Sequence, residues 1–319
     1  MNARSTHAAL AALAVAAVAS LAACTGSSPG ATATSFIDPA QDKLAQIRAR
    51  GTILLPVDTA YPPASFAAPL ARRPAETQCS PDQLTGAEVD GYDVATGKLV
   101  AEALDVEPCF LTPTWTELLA GSWGDRWDVA FSSIGITRER MNALVFTRPY
   151  YGTPERFYVA AGSAVERMEA LSGRRIGVCT GCFADLYLQK RLDLPGAGVE
   201  YVVDSAEIVG YAVERSGLQD VADGKLDAFL CQETAGQQAI DEGLGLRAIE
   251  PAAYSAFPAG ALDRGSGLAI KPFLDELNGI LTAALDDGTL GGLSITYFGR
   301  DYAAPAASFD PESIGQTIP

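Results

Sequence analysis

Two cysteines lie three residues apart in the stretch RIGVCTGCFADLYLQK, at positions 179 and 182, where an apolar run gives way to a helical pattern. A Cys-x-x-Cys pair can bind a metal, transfer electrons or close a disulfide. A structural zinc site usually has four ligands, and a redox site needs an exposed thiolate of low pKa. The choice among these chemistries depends on the other ligand types in the chain and on the elements that carry the pair.

The only histidine of the 319-residue chain is His7, close to the N-terminus. Downstream of it, a Ser-His-Asp triad, a Cys-His pair and His-ligated zinc or copper sites are therefore excluded. Any general acid or base there must be Asp, Glu, Lys, Tyr or Cys. The formal net charge is −16, and this acidic balance argues against nucleic acid as a partner.

The N-terminus indicates the compartment. Residues 1–23 combine a weakly basic start with an Ala/Leu/Val run and are predicted to be a signal peptide, too short in its apolar part for a membrane span. The ending LAAC resembles the lipobox of bacterial lipoproteins, which would make Cys24 a lipidated, membrane-anchoring residue outside the cytoplasm. The alternative is an ordinary secretory cleavage site with an incidental cysteine. Residues 24–41, rich in Gly, Ser, Thr and Ala, are predicted to be a flexible tether.

Strand and helix patterns alternate in the first half of the rest of the chain. GTILLPVD (51–58), PCFLTP and WDVAFSS are predicted to be strands. A helix over 91–106 is predicted to bury Ala95, Leu99, Val100, Ala103 and Leu104. Thr114 is a candidate N-cap for a short helix in TWTELLAG. Such alternation is typical of a parallel sheet with helices on both faces.

The alternation stops at residues 146–161 and then begins again. RRIGVC, VEYVVD and KLDAFLC are predicted to be strands, with helices over 182–191, 212–223 and 234–241. A closing helix starts near Pro272 and carries an apolar stripe. That stripe consists of Leu274, Leu277, Leu281 and Ala284. Two α/β units in series predict two lobes, with a ligand cleft beyond the carboxyl ends of their strands.

Six stretches in this order resemble the bacterial extracellular solute-binding proteins of ABC transporters, of the polar amino-acid-binding type. The stretches are VDTAYPPASF, GYDVATGKLVAEAL, WDVAFSSIGITRERMNALVFTRPYY, RRIGVCTGCFADLYL, LQDVADGKLDAFLC and DDGTLGGLSITYFG. The resemblance implies the two-lobed periplasmic-binding-protein fold, in which two α/β lobes joined by a two-crossing hinge close on a solute. Lobe 1 would comprise 42–150 plus 266–319, and lobe 2 would comprise 151–265.

By the same resemblance, the function is that of a lipid-anchored receptor that delivers a small polar solute with a carboxylate to an ABC permease. We expect a monomer without cofactor or metal. One alternative is an enzyme on the same scaffold, a dehydratase with Glu233 or Asp58 as general acid. Another alternative is a solute receptor for a membrane sensor.

The resemblance assigns ligand contacts to lobe 1. Arg140 would bind the carboxylate, because guanidinium offers a planar pair of donors. Tyr61 and Trp115 would sandwich the ligand between their rings, with core packing as the alternative role. Asp58 would contact polar ligand groups or cap a helix, Ser133 would donate a hydrogen bond, and Gly135 stands where the family often has Ser or Thr.

The contacts assigned to lobe 2 are Cys179, Phe183, Gln232 and Glu233. Here the sequence departs from the family, which commonly has an aspartate for the ligand ammonium after the DAFL strand. Gln232 occupies that position and carries no charge, while Glu233 follows one residue later. The carboxylate half of an amino-acid site is thus present, whereas the ammonium half lacks its usual acid.

The resemblance also places the cysteines. Cys79 and Cys109 would both belong to lobe 1, where we expect a disulfide between them. Cys179, Cys182 and Cys231 would belong to lobe 2, where we expect one disulfide among the three that braces the ligand loop. A redox role remains the alternative for the Cys-x-x-Cys pair.

Overall fold

The structure, a computed structural model, describes residues 38–195 and 198–319. The predicted signal peptide, Cys24 and most of the predicted tether lie outside the described residues. Within the described part of the chain, no helix combines the length and the apolar character needed to cross a membrane.

The chain forms a first lobe, a second lobe and a return to the first. The elements before the first crossing are α1 (Lys43–Arg50), β1 (Thr52–Pro56), β2 (Ala60–Tyr61), β3 (Ser65–Ala67), β4 (Leu84–Thr85), β5 (Val89–Asp90), α2 (Tyr92–Ala103), β6 (Glu107–Leu111), α3 (Trp115–Leu119) and β7 (Leu144–Pro149). The second lobe comprises β8 (Thr153–Ala160), β9 (Arg174–Cys179), α4 (Phe183–Leu188), β10 (Ala206–Tyr211), α5 (Glu214–Ala222), β11 (Ala228–Gln232), α6 (Glu233–Asp241), β12 (Leu246–Ala248) and β13 (Tyr254–Ala256). The return comprises β14 (Ala259–Asp263), α7 (Lys271–Asp286), α8 (Thr289–Phe298) and α9 (Ala304–Ala307).

The first lobe is built on the parallel pair β1 and β6, in which Leu54 lies opposite Cys109. The helix α2 lies in the connection between these strands and packs against both of them. β4 pairs with β6 in antiparallel orientation, and β2, β3 and β5 form a small separate sheet. A disulfide joins Cys79 to Cys109, so the loop before β4 is tied to β6.

The helix α7 brings the C-terminal segment back to the first lobe. Pro272 lies in its first turn, where the missing N–H has no helical partner to lose. All four residues of the predicted stripe are buried, and they belong to the same core as Ile53 and Tyr92. Apolar spacing along the sequence therefore identified correctly the face that this helix buries.

The second lobe contains a sheet of six strands in the order β10-β9-β11-β8-β12, with β13 also paired to β8. β9 pairs in parallel with β10 and β11, whereas β8 runs antiparallel to β11, β12 and β13. The carboxyl ends of the parallel strands and the start of β8 therefore meet at one edge of the sheet. This edge faces the first lobe.

Two crossings connect the lobes, one between β7 and β8 and one between β13 and β14. β14 pairs with β7, and its Ala261 and Leu262 lie in the cores of the first lobe. The sequence assigned these residues to lobe 2, which it extended to residue 265. A backbone hydrogen bond from Tyr150 N–H to the Pro258 carbonyl joins the two crossings, and one from Gly152 N–H to the Tyr302 carbonyl ties them to the first lobe.

Three local predictions differ from the structure. WDVAFSS is not a strand, since only Ala130 forms an isolated bridge, to Ala261 of β14. VEYVVD is a loop, and the strand beside β9 is β10, formed by the residues that follow, AEIVGY. The helix α2 exposes Ala103 and buries Thr96 and Gly97, because it packs against both the sheet and the C-terminal helices.

Candidate functional site

Arg140 lies at the boundary between the lobes. It begins a short 3₁₀ turn over Arg140–Asn142 and is 6% exposed. Its Nη1 donates to the Gly135 carbonyl at 2.9 Å, and its Nη2 donates to the Gly181 carbonyl of the second lobe at 3.2 Å. Burial lowers the pKa of Arg140 to about 10, so the guanidinium is charged at neutral pH. A guanidinium has five N–H protons, so three remain for another acceptor.

Aromatic rings flank this guanidinium. Its central carbon lies 4.8 Å from the centroid of Phe183 and 5.4 Å from that of Trp115. Phe183 also rests on Gly135, where a Cβ atom would come within 2.1 Å of the ring. The glycine at 135 is therefore required by the close approach of Phe183 from the other lobe. Four residues predicted from the sequence thus meet at one place.

Two further donors near Arg140 have no partner. Trp115 Nε1 and the Tyr254 hydroxyl are buried and form no hydrogen bond within the described residues. Tyr254 lies 6.5 Å from Phe183 between ring centroids. Burial raises the pKa of Tyr254 well above its ordinary value, and the charge of Arg140 opposes this in part. Buried polar groups in native proteins are nearly always hydrogen-bonded, so unpartnered donors beside a cation indicate room for an acceptor.

Ser133 belongs to a hydrogen-bond network next to the cleft. Its Oγ donates to Asp93 at 2.8 Å, and its backbone N–H donates to the Tyr150 hydroxyl at 3.0 Å. The Tyr151 hydroxyl lies 2.8 Å from Ser133 Oγ and 3.1 Å from Gln232 Oε1, and so connects the lobes. Burial raises the pKa of Asp93 to about 7, although the hydrogen bonds from Tyr150 and Ser133 lower it.

The loop between β9 and α4 carries the Cys-x-x-Cys pair. A disulfide joins Cys179 to Cys182, with 5.4 Å between their Cα atoms. It encloses Gly181, whose φ of +73° is unfavourable for residues with a side chain. The Gly181 N–H donates to Asp185 at 2.8 Å, while its carbonyl accepts from Arg140. The pair therefore braces the segment that contacts the arginine.

Comparison with known proteins agrees with this architecture. The family model of bacterial extracellular solute-binding proteins, family 3, matches residues 74–300. The chain belongs to this family. The family and the function predicted from the sequence, a solute-binding receptor of ABC transporters, are thereby confirmed.

Two curated relatives and one solved structure show how far the similarity extends. The chain is 28% identical over 234 residues to the L-arginine-binding protein of Pseudomonas aeruginosa, covering 72% of this chain and 80% of that protein. It is 26% identical over 275 residues to the L-cystine-binding protein TcyJ of Escherichia coli K12, covering 85% and 91%. The structure of Tv2483 bound to L-arginine superposes with a TM-score of 0.67 at 19% identity, covering 85% of this chain and 99% of that one. The last match supports the two-lobed fold.

In this solute-binding protein, the remaining predicted contacts occupy different positions. Tyr61 is half-buried and lines a groove between the lobes. Asp58 is exposed, and its Oδ1 accepts the Ala60 N–H rather than capping a helix. Gln232 ends β11 with its side chain beside Tyr151.

Glu233 forms a network at the hinge instead of facing the cleft centre. Its carboxylate accepts from Arg156 of β8 and, at 2.9 Å, from the Tyr302 hydroxyl. Arg300 adds a contact of 3.2 Å. Although burial favours the neutral form, these partners hold the pKa of Glu233 below its ordinary value. An ionised and fully paired carboxylate is poorly suited to act as a general acid.

Two acids of the cleft were not identified from the sequence. Glu155 lies on β8 directly opposite Gln232, and Glu214 is the first residue of α5. The one available signal was the presence of an acid within the apolar and aromatic strand TPERFYVA. Because side chains alternate between the faces of a strand, the sequence did not reveal which face Glu155 occupies.

The other cysteine of the second lobe, Cys231, is buried and has no disulfide partner among the described residues. Burial raises the pKa of its thiol well above the ordinary value, which disfavours the reactive thiolate. Within residues 38–195 and 198–319, no group of three or more His, Cys, Asp or Glu side chains is placed to hold a metal ion.

Proposed function

We propose that this solute-binding protein carries an amino acid to an ABC permease and binds its carboxylate at Arg140. The observation that carries the proposal is the convergence of a buried guanidinium with two unpartnered buried donors, Trp115 Nε1 and the Tyr254 hydroxyl. A carboxylate has about four lone-pair sites and can accept from several such donors. The amino-acid ligands named for the two relatives support the same class of solute.

The cleft lies between the two lobes, so a ligand bound there contacts both and can drive their closure. Arg140 already contacts Gly181 across the boundary, and Tyr151 contacts Gln232. A ligand that binds both lobes stabilises their closed arrangement through its differential affinity for that state. The ABC permease would then recognise the closed, loaded monomer.

A melting-shift screen with the common amino acids tests the function. A ligand at about 100 times its dissociation constant should stabilise the protein by roughly 2.7 kcal/mol. We expect at least one amino acid to raise the melting temperature and to be recovered unchanged by mass spectrometry. If no amino acid shifts the melting temperature, the proposal fails, and recovery of a converted product would support the enzyme alternative.

We also propose that the protein is held at the outer face of the membrane through Cys24. The supporting pattern is LAAC followed by a Gly/Ser/Thr/Ala stretch. Replacing Cys24→Ser should release the protein from the membrane fraction, and mass spectrometry of the mature N-terminus should show a lipid on the unsubstituted protein. An unmodified N-terminus in membrane-extracted protein would refute this anchoring.

A further inference from the structure

Glu155 lies where the family's ammonium-binding acid is missing. In the antiparallel pairing of β8 with β11, Glu155 is directly opposite Gln232, and on its other side it is opposite Tyr254 of β13. Directly opposite residues in antiparallel strands project from the same face. The carboxylate that position 232 lacks is therefore supplied by the neighbouring strand, at the edge that faces the first lobe.

The Glu155 carboxylate is buried without a partner. The residue is 2% exposed, and within the described part of the chain its side chain forms no hydrogen bond or ion pair. Burial and the charge of Glu214 raise its pKa well above the ordinary value, against the opposing effect of Arg140. Burial without a partner favours the neutral acid, so a cation placed here would gain a partner and stabilise the ionised form.

Glu214 is a second acid with an unpartnered oxygen, although the residue as a whole is only half-buried. Its Oε2 is buried without a hydrogen-bond partner among the described residues, and burial raises its pKa to about 8. With Tyr61, it lines a groove between the first lobe and the helices α5 and α6, in which Arg215 and Glu242 pair with each other. The helix α5 packs against β8, so Glu214 and Glu155 lie on adjoining elements. Burial, together with the charge of Glu214, raises the pKa of both Glu155 and Tyr61.

The nearby acids outside this pair already have partners or face solvent. Asp93 accepts hydrogen bonds from Tyr150 and Ser133. Glu233 is held by Arg156 and the C-terminal segment. Asp58 is exposed. Glu155 and Glu214 are therefore the two carboxylates of the cleft that a ligand would have to satisfy.

Building on the proposed function, we infer that Glu155 binds the ligand's α-ammonium and Glu214 binds a second positive charge, so the solute is a dibasic amino acid. The unpartnered oxygens of the two acids carry the argument. The ligand carboxylate pairs with Arg140, and the α-ammonium donates to Glu155. A neutral side chain would leave the buried Glu214 Oε2 without a partner, whereas a cationic side chain would donate to it and hold it ionised.

Calorimetric titration with two matched ligand series tests the inference. One series is L-arginine, L-citrulline and 5-guanidinopentanoate, and the other is L-lysine, L-norleucine and 6-aminohexanoate. Within each series, the second compound lacks the side-chain charge and the third lacks the α-ammonium. In at least one series, we expect the dibasic amino acid to bind roughly 10- to 150-fold more tightly than either analogue, the range for one charge-assisted hydrogen bond.

Two variants assign the charges to residues. Glu214→Gln should weaken binding of the dibasic ligand by a similar factor. It should change the affinity for the analogue that lacks the side-chain charge by no more than about threefold. Glu155→Gln should weaken binding of the dibasic ligand and leave the affinity for the des-amino analogue unchanged. Adding Gln232→Glu to Glu155→Gln should restore the preference for the α-ammonium, which a purely structural role of Glu155 would not allow. Glu207→Gln, an exposed acid of the same lobe paired with Arg175, is the control and should bind as the unsubstituted protein does.

Several results would overturn the inference. Equal affinity of the unsubstituted protein for the dibasic and neutral members of both series would do so without any variant. Equal losses for arginine and its des-amino analogue in Glu155→Gln would show that Glu155 only supports the fold. Binding of neutral amino acids that depends on Arg140, without binding of dibasic ones, would leave the proposed function intact and refute this inference alone. If no amino acid of any class binds, both fail.

Discussion

Replacing Arg140 with methionine is the most direct test of the carboxylate site. The substitution removes the guanidinium but keeps an unbranched apolar stem between Trp115 and Phe183. Arg138→Met is the matched control, since this residue lies two positions earlier and carries the same charge. Its side chain is 57% exposed and pairs with Asp193 at 3.3 Å.

The size of the expected affinity loss follows from the N–H groups of Arg140 that remain free for a ligand. Two of its five N–H protons go to the carbonyls of Gly135 and Gly181, which leaves enough for a two-pronged contact with a carboxylate. Hydrogen bonds to charged groups contribute about 1.5–3 kcal/mol each, and removing one partner of a buried charge pair costs about 3–5 kcal/mol. The dissociation constant should therefore rise by roughly 150- to 5,000-fold.

Isothermal titration calorimetry with the amino acid identified by the melting-shift screen measures the effect. Arg138→Met should bind within about threefold of the unsubstituted protein, because an exposed ion pair contributes only about 0–1 kcal/mol. Arg140→Lys should recover only part of the affinity, since lysine keeps the charge but lacks the planar pair of donors. Circular dichroism of each variant separates lost binding from lost folding. A folded Arg140→Met variant with unchanged affinity would refute the carboxylate assignment.

Three further predictions concern stability and packing. Cys79 and Cys109 are separated by 30 residues, so replacing both with serine should lower the free energy of unfolding by about 3–4 kcal/mol in denaturant titrations; a loss under about 1 kcal/mol would contradict this. Burial raises the pKa of Asp93 to about 7, above an ordinary value of 3.8, so the folded state retains a proton that the unfolded chain releases. Its contribution to stability is complete below about pH 4 and disappears as pH rises through about 7, with an upper bound of about 4 kcal/mol. Asp93→Asn should therefore flatten the fall in melting temperature of the ligand-free protein between pH 5 and 8, and an unchanged slope would disprove the assignment. Gly135→Ala places a Cβ atom 2.1 Å from the Phe183 ring and should weaken ligand binding by about 1–3 kcal/mol. Adding Phe183→Ala should recover part of that loss, whereas additive losses would argue against the contact.

The residues of the cleft show where sequence reasoning succeeds. Arg140, Trp115, Gly135 and Phe183 were predicted to share one site, and the structure brings them into contact. Each lies in a loop or at the end of an element, and the order of motifs identifies these places without knowledge of distances. Glu233 was predicted in the same way but faces the hinge, because a shift of one residue at the start of α6 changes the direction of the side chain.

By itself, the sequence determined the family and most of the order of elements, and it grouped Arg140 with Trp115, because these depend on local periodicity and on motifs within single segments. It also determined the buried stripe of α7, which packs mainly through one face. Only the tertiary structure decided that β14 belongs beside β7 and that Glu155 lies opposite Gln232. Both facts are registers between strands far apart in the chain, and register is set by long-range pairing and burial that no single segment encodes. The position of Glu155 beside Gln232 therefore became visible only when the chain was folded.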